Sequence, residues 1–67
     1  MTTTTLRERV RAYCASLGLS ELRTLICEIV ALTLASHGRS AGYAIGEACQ
    51  QAKRYAGREK VLREVRS

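Results

Sequence analysis

The sequence contains neither phenylalanine nor tryptophan, and three tyrosines are the only aromatic side chains among its 67 residues. A hydrophobic core must therefore be built from aliphatic side chains, alanines and the tyrosines. The same absence removes the aromatic anchors that usually hold an amphipathic helix at a membrane surface. No apolar run reaches the roughly 20 residues that a transmembrane helix requires. We therefore expect a cytoplasmic protein without a membrane partner.

Metal-binding and catalytic patterns are also missing. The three cysteines, Cys14, Cys27 and Cys49, are odd in number and scattered, and no signal-peptide pattern accompanies them, so we interpret them as reduced, buried thiols. Together with His37 they could form a Cys3His zinc site, but structural zinc ligands usually come in close pairs, which are absent here. A catalytic cysteine would need a base beside it. We predict no metal, no cofactor and no enzymatic activity.

Three segments show the apolar spacing of amphipathic helices. They cover about 6–17, 20–37 and 40–65. Gly18 and Gly38 are placed to end the first two helices, because glycine adopts the left-handed conformation without steric cost. The connection between those helices is only about three residues long, which favours an antiparallel hairpin. The sequence thus predicts an all-α fold, a helical hairpin followed by one long helix, in a single domain over 1–67.

The helix ends carry capping signals. Thr5 followed by Glu8 matches a capping box for the first helix. Ser20 and Ser40 are suitable N-caps for the second and third helices. Gly57 could interrupt the third helix, but the apolar stripe resumes in register beyond it, so we favour one continuous helix. At 1.5 Å per residue that helix would be roughly 39 Å long against about 25 Å for the second, and its end would overhang.

The second helix is apolar around most of its circumference. One apolar stripe consists of Leu22, Leu25, Ile26, Ile29, Leu32 and Thr33, and a second stripe beside it consists of Cys27, Val30, Ala31 and Leu34. A narrow polar seam runs through Glu21, Thr24 and Glu28, and we expect Glu28 to be hydrated or paired with an arginine of the first helix. A helix apolar on nearly every side is central in a large core or touches a second chain.

The second helix carries more apolar surface than one small chain can cover, so we predict self-association. A chain of this size buries only roughly 60% of its unfolded surface, and a second copy is the remaining source of buried area. The third helix carries alanines at four-residue steps, which permits close helix packing. We therefore predict a homodimeric helical bundle. Its predicted interface residues are Ile26, Ile29, Val30, Leu34, Ala48, Ala52, Tyr55 and Leu62.

Two functions remain open at this level. The first is a small protein-interaction module that acts as a regulator, inhibitor or assembly factor and binds another protein. The second is a nucleic-acid-binding protein without sequence preference, because the chain has a net charge of +5 and a basic third helix. The predicted phosphate-contacting residues are Lys53, Arg54, Arg58, Lys60, Arg63 and Arg66.

Overall fold

The computed structural model describes residues 2–66 except for the side chains of Arg63 and Arg66. Three helices make up this part of the chain: α1 (Thr3–Ser16), α2 (Glu21–Ser36) and α3 (Ala41–Arg66). This arrangement confirms the predicted all-α, three-helix fold. The described part measures 43 × 16 × 15 Å, because α3 is much longer than its neighbours. Within it, no helix combines the length and the apolar character needed to cross a bilayer.

The first helix begins earlier than the sequence predicted. Its N-cap is Thr2, whose hydroxyl oxygen accepts a hydrogen bond from the backbone N–H of Thr5 at 3.2 Å. The two threonine hydroxyls also lie 2.9 Å apart. The predicted capping box of Thr5 and Glu8 is therefore wrong, because Thr5 lies within the helix.

Glycines with positive φ end α1 and α2. Gly18 has φ 72° and Gly38 has φ 85°, and no other residue type in the described chain has positive φ. Beyond Gly18, the N–H of Leu19 donates to the carbonyl of Cys14 at 3.1 Å, which is the bond pattern of a Schellman motif. These turns reverse the chain twice, so α1 and α3 both run antiparallel to α2.

Serines cap the other two helices. The hydroxyl of Ser20 accepts the N–H of Arg23 at 3.4 Å, and that of Ser40 accepts the N–H of Tyr43 at 3.2 Å. The third helix runs through Gly57 without a break, which is the arrangement favoured from the sequence.

The core is made largely of small side chains. Its eight buried apolar residues are Leu6, Val10, Cys14, Cys27, Ala31, Ala44, Ala48 and Ala52, of which six are alanine or cysteine. Such side chains let helix backbones approach closely, as the alanine spacing of α3 predicted.

The second helix buries small and polar residues rather than its largest aliphatic side chains. Its buried residues are Thr24, Cys27, Glu28 and Ala31. Most of the first apolar stripe faces outward, because Leu22, Leu25, Ile29 and Thr33 are exposed. The second stripe supplies the buried residues Cys27 and Ala31, so the structure selects the stripe of smaller side chains for the core.

Candidate interaction surface

Three large aliphatic side chains form an exposed stripe on α2, which we call the outer α2 face. Leu22 is 69% exposed, Leu25 is 40% exposed and Ile29 is 60% exposed. Together with the partly buried Leu32 they follow a spacing of three, four and three residues. This is the heptad spacing with which one helix packs lengthwise against another.

A buried ion-pair cluster fixes the orientation of α2 on the side of α1. The carboxylate of Glu28 is only 2% exposed and accepts hydrogen bonds from Arg11 at 2.9 Å and from Arg7 at 3.4 Å. Arg11 also contacts Glu21 at 2.6 Å. Hydrogen bonds to Glu21 and Glu28 raise the pKa of the Arg11 guanidinium above its ordinary value. Glu28 therefore pairs with arginines of α1, as expected, but it is buried rather than hydrated.

On the other side, Arg23 joins α2 to α3. Its guanidinium carbon lies 4.8 Å from the ring centroid of Tyr55, and its Nε lies 3.2 Å from a carboxylate oxygen of Glu59. A stacked arginine that also pairs with a carboxylate holds a defined position. The start of α2 is thus fixed beside the last third of α3.

The overhanging end of α3 forms a second apolar patch, which we call the C-terminal overhang. It contains three exposed aliphatic residues, Val61, Leu62 and Val65. The first two of these line a shallow concavity with Gly57 and Arg58. The overhang and the first turn of α2 lie at the same end of the molecule, because Arg23 reaches Glu59.

The predicted interface residues divide into three groups. Ile29 and Leu62 are exposed, and Ile26 and Val30 are partly exposed. These four remain available to a second chain.

The other predicted interface residues face the interior of one chain. Ala48 and Ala52 are completely buried, so they have no surface to offer and we remove them from the predicted interface. Leu34 and Tyr55 are half-buried against the core, and Arg23 covers the ring of Tyr55. Both were predicted from helical periodicity, which identifies an apolar face without saying which chain covers it.

The sequence reasoning left out Leu22, Leu25, Val61 and Val65 as interface residues. It placed Leu22 and Leu25 on the first apolar stripe without listing them in the interface, and it did not list the two valines. The heptad spacing of α2 was the available signal for the two leucines.

Cys14 and Cys27 lie in the core, and Cys49 is partly buried. Burial, with a further contribution from Cys14, raises the pKa of the Cys27 thiol to about 12. Burial likewise raises the pKa of Cys49 above its ordinary value. His37 is exposed at the end of α2. Among the residues that the structure describes, no three His, Cys, Asp or Glu side chains are placed to share a metal ion.

The basic residues of α3 form a solvent-facing surface. The predicted phosphate contacts Lys53, Arg54, Arg58 and Lys60 are all exposed, whereas the side chains of Arg63 and Arg66 lie outside the described residues. One shallow groove on α3 is lined by Gln51, Arg54, Tyr55 and Arg58. The two lysines project from another flank of the helix, so the described cations do not share a single face.

Comparison with known proteins gave no match to a protein-family model, to a curated protein or to a solved structure.

Proposed function

We propose that this protein is a non-catalytic, cytoplasmic protein-interaction module that works as a homodimer and acts on another protein as a regulator, inhibitor or assembly factor. The single observation that carries the proposal is the outer α2 face. Leu22, Leu25 and Ile29 remain largely exposed in one chain although smaller and more polar residues of the same helix are buried. Contiguous exposed apolar residues of this kind mark interaction surfaces.

The size of the outer α2 face determines how much free energy it can contribute to dimerisation. Burying the exposed parts of three such side chains is worth about 1–2 kcal/mol each, or roughly 6–12 kcal/mol for two copies. Association costs an estimated 4–15 kcal/mol in lost freedom of motion. The free energy gained by burying the outer α2 face alone is therefore close to the free-energy cost of association. We expect the partly exposed Ile26 and Val30 beside this face to contribute as well, giving a dissociation constant in the micromolar range or below.

A charge placed on the outer α2 face tests this proposal. In Ile29→Glu, a carboxylate would be desolvated at the dimer interface, whereas the folded monomer already exposes this position to water. We expect light scattering after size exclusion to give the mass of one chain for the variant at 20 μM and of two chains for the parent protein. The matched control is Ala12→Glu on the exposed side of α1, which should remain dimeric. Unchanged circular dichroism would establish that both variants fold.

A second candidate function is the binding of nucleic acid without sequence preference. The observation that favours it is the groove lined by Gln51, Arg54, Tyr55 and Arg58, since two exposed cations along one groove suit a phosphate chain. Lys53 and Lys60 project from another flank of α3, so the cations do not form one continuous surface. This candidate function is therefore weaker than the first.

Salt dependence separates this candidate from the first. If the basic α3 surface contacts phosphates, the logarithm of the DNA affinity should fall linearly with the logarithm of salt concentration. Replacing Arg54 and Arg58 by glutamine should make that slope shallower by about 2, because each lost phosphate contact removes about 0.9. The charge-matched control replaces Arg9 and Arg39 and should leave the slope unchanged. Absence of binding to duplex DNA at 50 mM salt would exclude the candidate.

A further inference from the structure

We propose that the end of α3 binds a short acidic, amphipathic helix of another protein, which carries carboxylates towards one end and aliphatic side chains towards the other. The binding surface is a groove along α3 that runs from Arg54 to Val65, which we call the overhang groove. This inference rests on the proposed protein-interaction function and names the chemistry of the partner.

The overhang groove is continuous from a basic half to an apolar half. Two shallow concavities along α3 share Arg58: the first also contains Arg54, and the second also contains Val61 and Leu62. Arg54, Arg58, Leu62 and Val65 follow one another at steps of four, four and three residues, which places them on one face of the helix. The groove is about 16 Å long, or roughly three helical turns. A short helix is therefore long enough to cover it.

The net charge of the chain is concentrated on this part of α3. Residues 53–66 include six of the 11 lysines and arginines and two of the six acids, so they carry +4 of the net charge of +5. Glu59 is 21% exposed and pairs with Arg23, and Glu64 follows Lys60 by four residues, which is the spacing of a helical ion pair. The described residues that line the overhang groove include two arginines and no carboxylate. Its complement is therefore acidic.

These features select an acidic helix over the other classes of occupant. The overhang of a second copy would bring another charge of +4 against the first, and like charges oppose association. A nucleic-acid chain is held by cations along its length, whereas one half of the groove is formed by Val61, Leu62 and Val65. A helix that lies on a membrane usually carries tryptophan or phenylalanine, and the chain has neither. In an acidic amphipathic helix, carboxylates pair with the arginines and aliphatic side chains cover the apolar half.

Gly57 leaves the middle of the overhang groove open. The Cβ of a larger residue at this position would meet nothing within 4 Å, so the space beside Gly57 is available to a partner. A leucine there would fit the folded chain and occupy the groove. Leu62, which we predicted for the dimer interface, is assigned to the partner instead.

A synthetic peptide tests the inference. The probe is a fluorescein-labelled 18-residue helix with leucine along one stripe and glutamate beside it, and its control has lysine in place of every glutamate. In fluorescence anisotropy we expect the acidic peptide to bind and the basic peptide not to bind at 500 μM protein. Replacing Arg54 and Arg58 by glutamine should weaken binding by about tenfold or more, because two charge-assisted contacts are lost. The same replacement of Arg9 and Arg39, also exposed, should leave it unchanged.

Gly57→Leu separates binding in the overhang groove from general attraction between charges. We expect this variant to keep its fold and charge and to bind the acidic peptide about tenfold more weakly or worse, because leucine fills the space that the peptide requires. The matched control is Gly46→Leu, where a Cβ likewise meets nothing within 4 Å, and it should bind as the parent protein does. An unchanged affinity for Gly57→Leu, or equal binding of the two peptides, would overturn the inference.

The molar mass distinguishes failure of this inference from failure of the proposed function. A dimeric parent protein that does not bind the acidic peptide at 500 μM overturns the inference and leaves the homodimer intact. A monomeric parent protein that binds the peptide overturns the homodimer and supports the groove. If Gly57→Leu is monomeric while the parent protein is dimeric, a second copy occupies the groove and the inference fails. It also fails if phosphatidylserine vesicles bind the parent protein, but not Gly57→Leu, and the peptide binds neither.

Discussion

The carboxylate of Glu28 is almost completely buried, yet its two arginine partners are about half exposed. A buried charge that loses its partners is costly, but here the partners can return to water when the carboxylate is removed. The cost of replacing Glu28 is therefore mainly that of two charge-assisted hydrogen bonds.

We expect Glu28→Gln to lower the free energy of unfolding by about 1–3 kcal/mol. The matched comparison is Glu21→Gln, because Glu21 also pairs with Arg11 but is 66% exposed. A surface pair of this kind contributes at most about 1 kcal/mol. Urea denaturation of both variants at one protein concentration measures the difference. Equal small losses would show that the Glu28 cluster does not stabilise the orientation of α2.

Cys27 should make stability sensitive to alkaline pH. In the folded chain its pKa is raised to about 12, against an ordinary value of 9.0. Between these values the unfolded thiol loses its proton while the folded one keeps it, so the unfolded state binds fewer protons and stability falls as pH rises. The stability is fully present below pH 9.

We expect this effect to appear as a difference in slope. Between pH 9 and 11 the free energy of unfolding of the parent protein should fall more steeply than that of Cys27→Ala, by up to about 1.4 kcal/mol per pH unit. Comparing slopes removes the constant cost of the cavity and the titration of lysines and tyrosines. Parallel curves for the two proteins would contradict this assignment.

At the scale of the helices, two kinds of glycine should respond oppositely to alanine. Gly18 ends α1 at φ 72°, where a side chain is strained, so Gly18→Ala should lower the free energy of unfolding by about 1–2 kcal/mol. Gly46 lies within α3, and a Cβ there would meet nothing within 4 Å. Gly46→Ala should therefore stabilise the protein by about 0.5–1 kcal/mol. A loss for both variants, measured by urea denaturation, would show that α3 is not a regular helix at this point.

Local signals were sufficient for most of the architecture. The serine caps, the two terminating glycines and the alanine series of α3 each act within a few residues, so the sequence predicts them well. The start of α1 was the exception, because the predicted cap was Thr5 whereas Thr2 caps the helix.

The orientation of α2 could not be obtained from such signals. Periodicity alone identifies two apolar stripes on α2 and does not say which of them faces the core. Glu28 reaches partners 17 and 21 positions away on α1, which no local pattern reveals. The candidate surface was therefore partly predicted: α2 was expected to carry excess apolar surface, and it does, but Leu22 and Leu25 were not listed among its interface residues.

At the scale of the whole molecule, the chain is an elongated rod with apolar residues on one side and at one end. A small-residue core gives this monomer little buried area for its length, and the large aliphatic side chains that would normally supply it are outside. In the dimer that we propose, a second copy covers those side chains. The folded state of the chain should then be linked to its own concentration.

That linkage predicts a concentration-dependent thermal midpoint. A protein that gains stability from a partner becomes more stable by mass action as the partner concentration rises. We expect the midpoint of the parent protein to increase by several degrees between 2 and 200 μM, and that of Ile29→Glu to stay constant. Calorimetry measures both. If the thermal midpoint of the parent protein stayed constant although its mass were dimeric, the dimer interface would not stabilise the folded chain.

The most direct measurement of the central claim is the molar mass of the unmodified protein in solution, by light scattering at micromolar concentration. Exposure of the outer α2 face in a single chain predicts twice the chain mass of 7.4 kDa. A folded, monodisperse species of one chain mass at 100 μM would contradict the account, because Leu22, Leu25 and Ile29 would then remain in water without a partner.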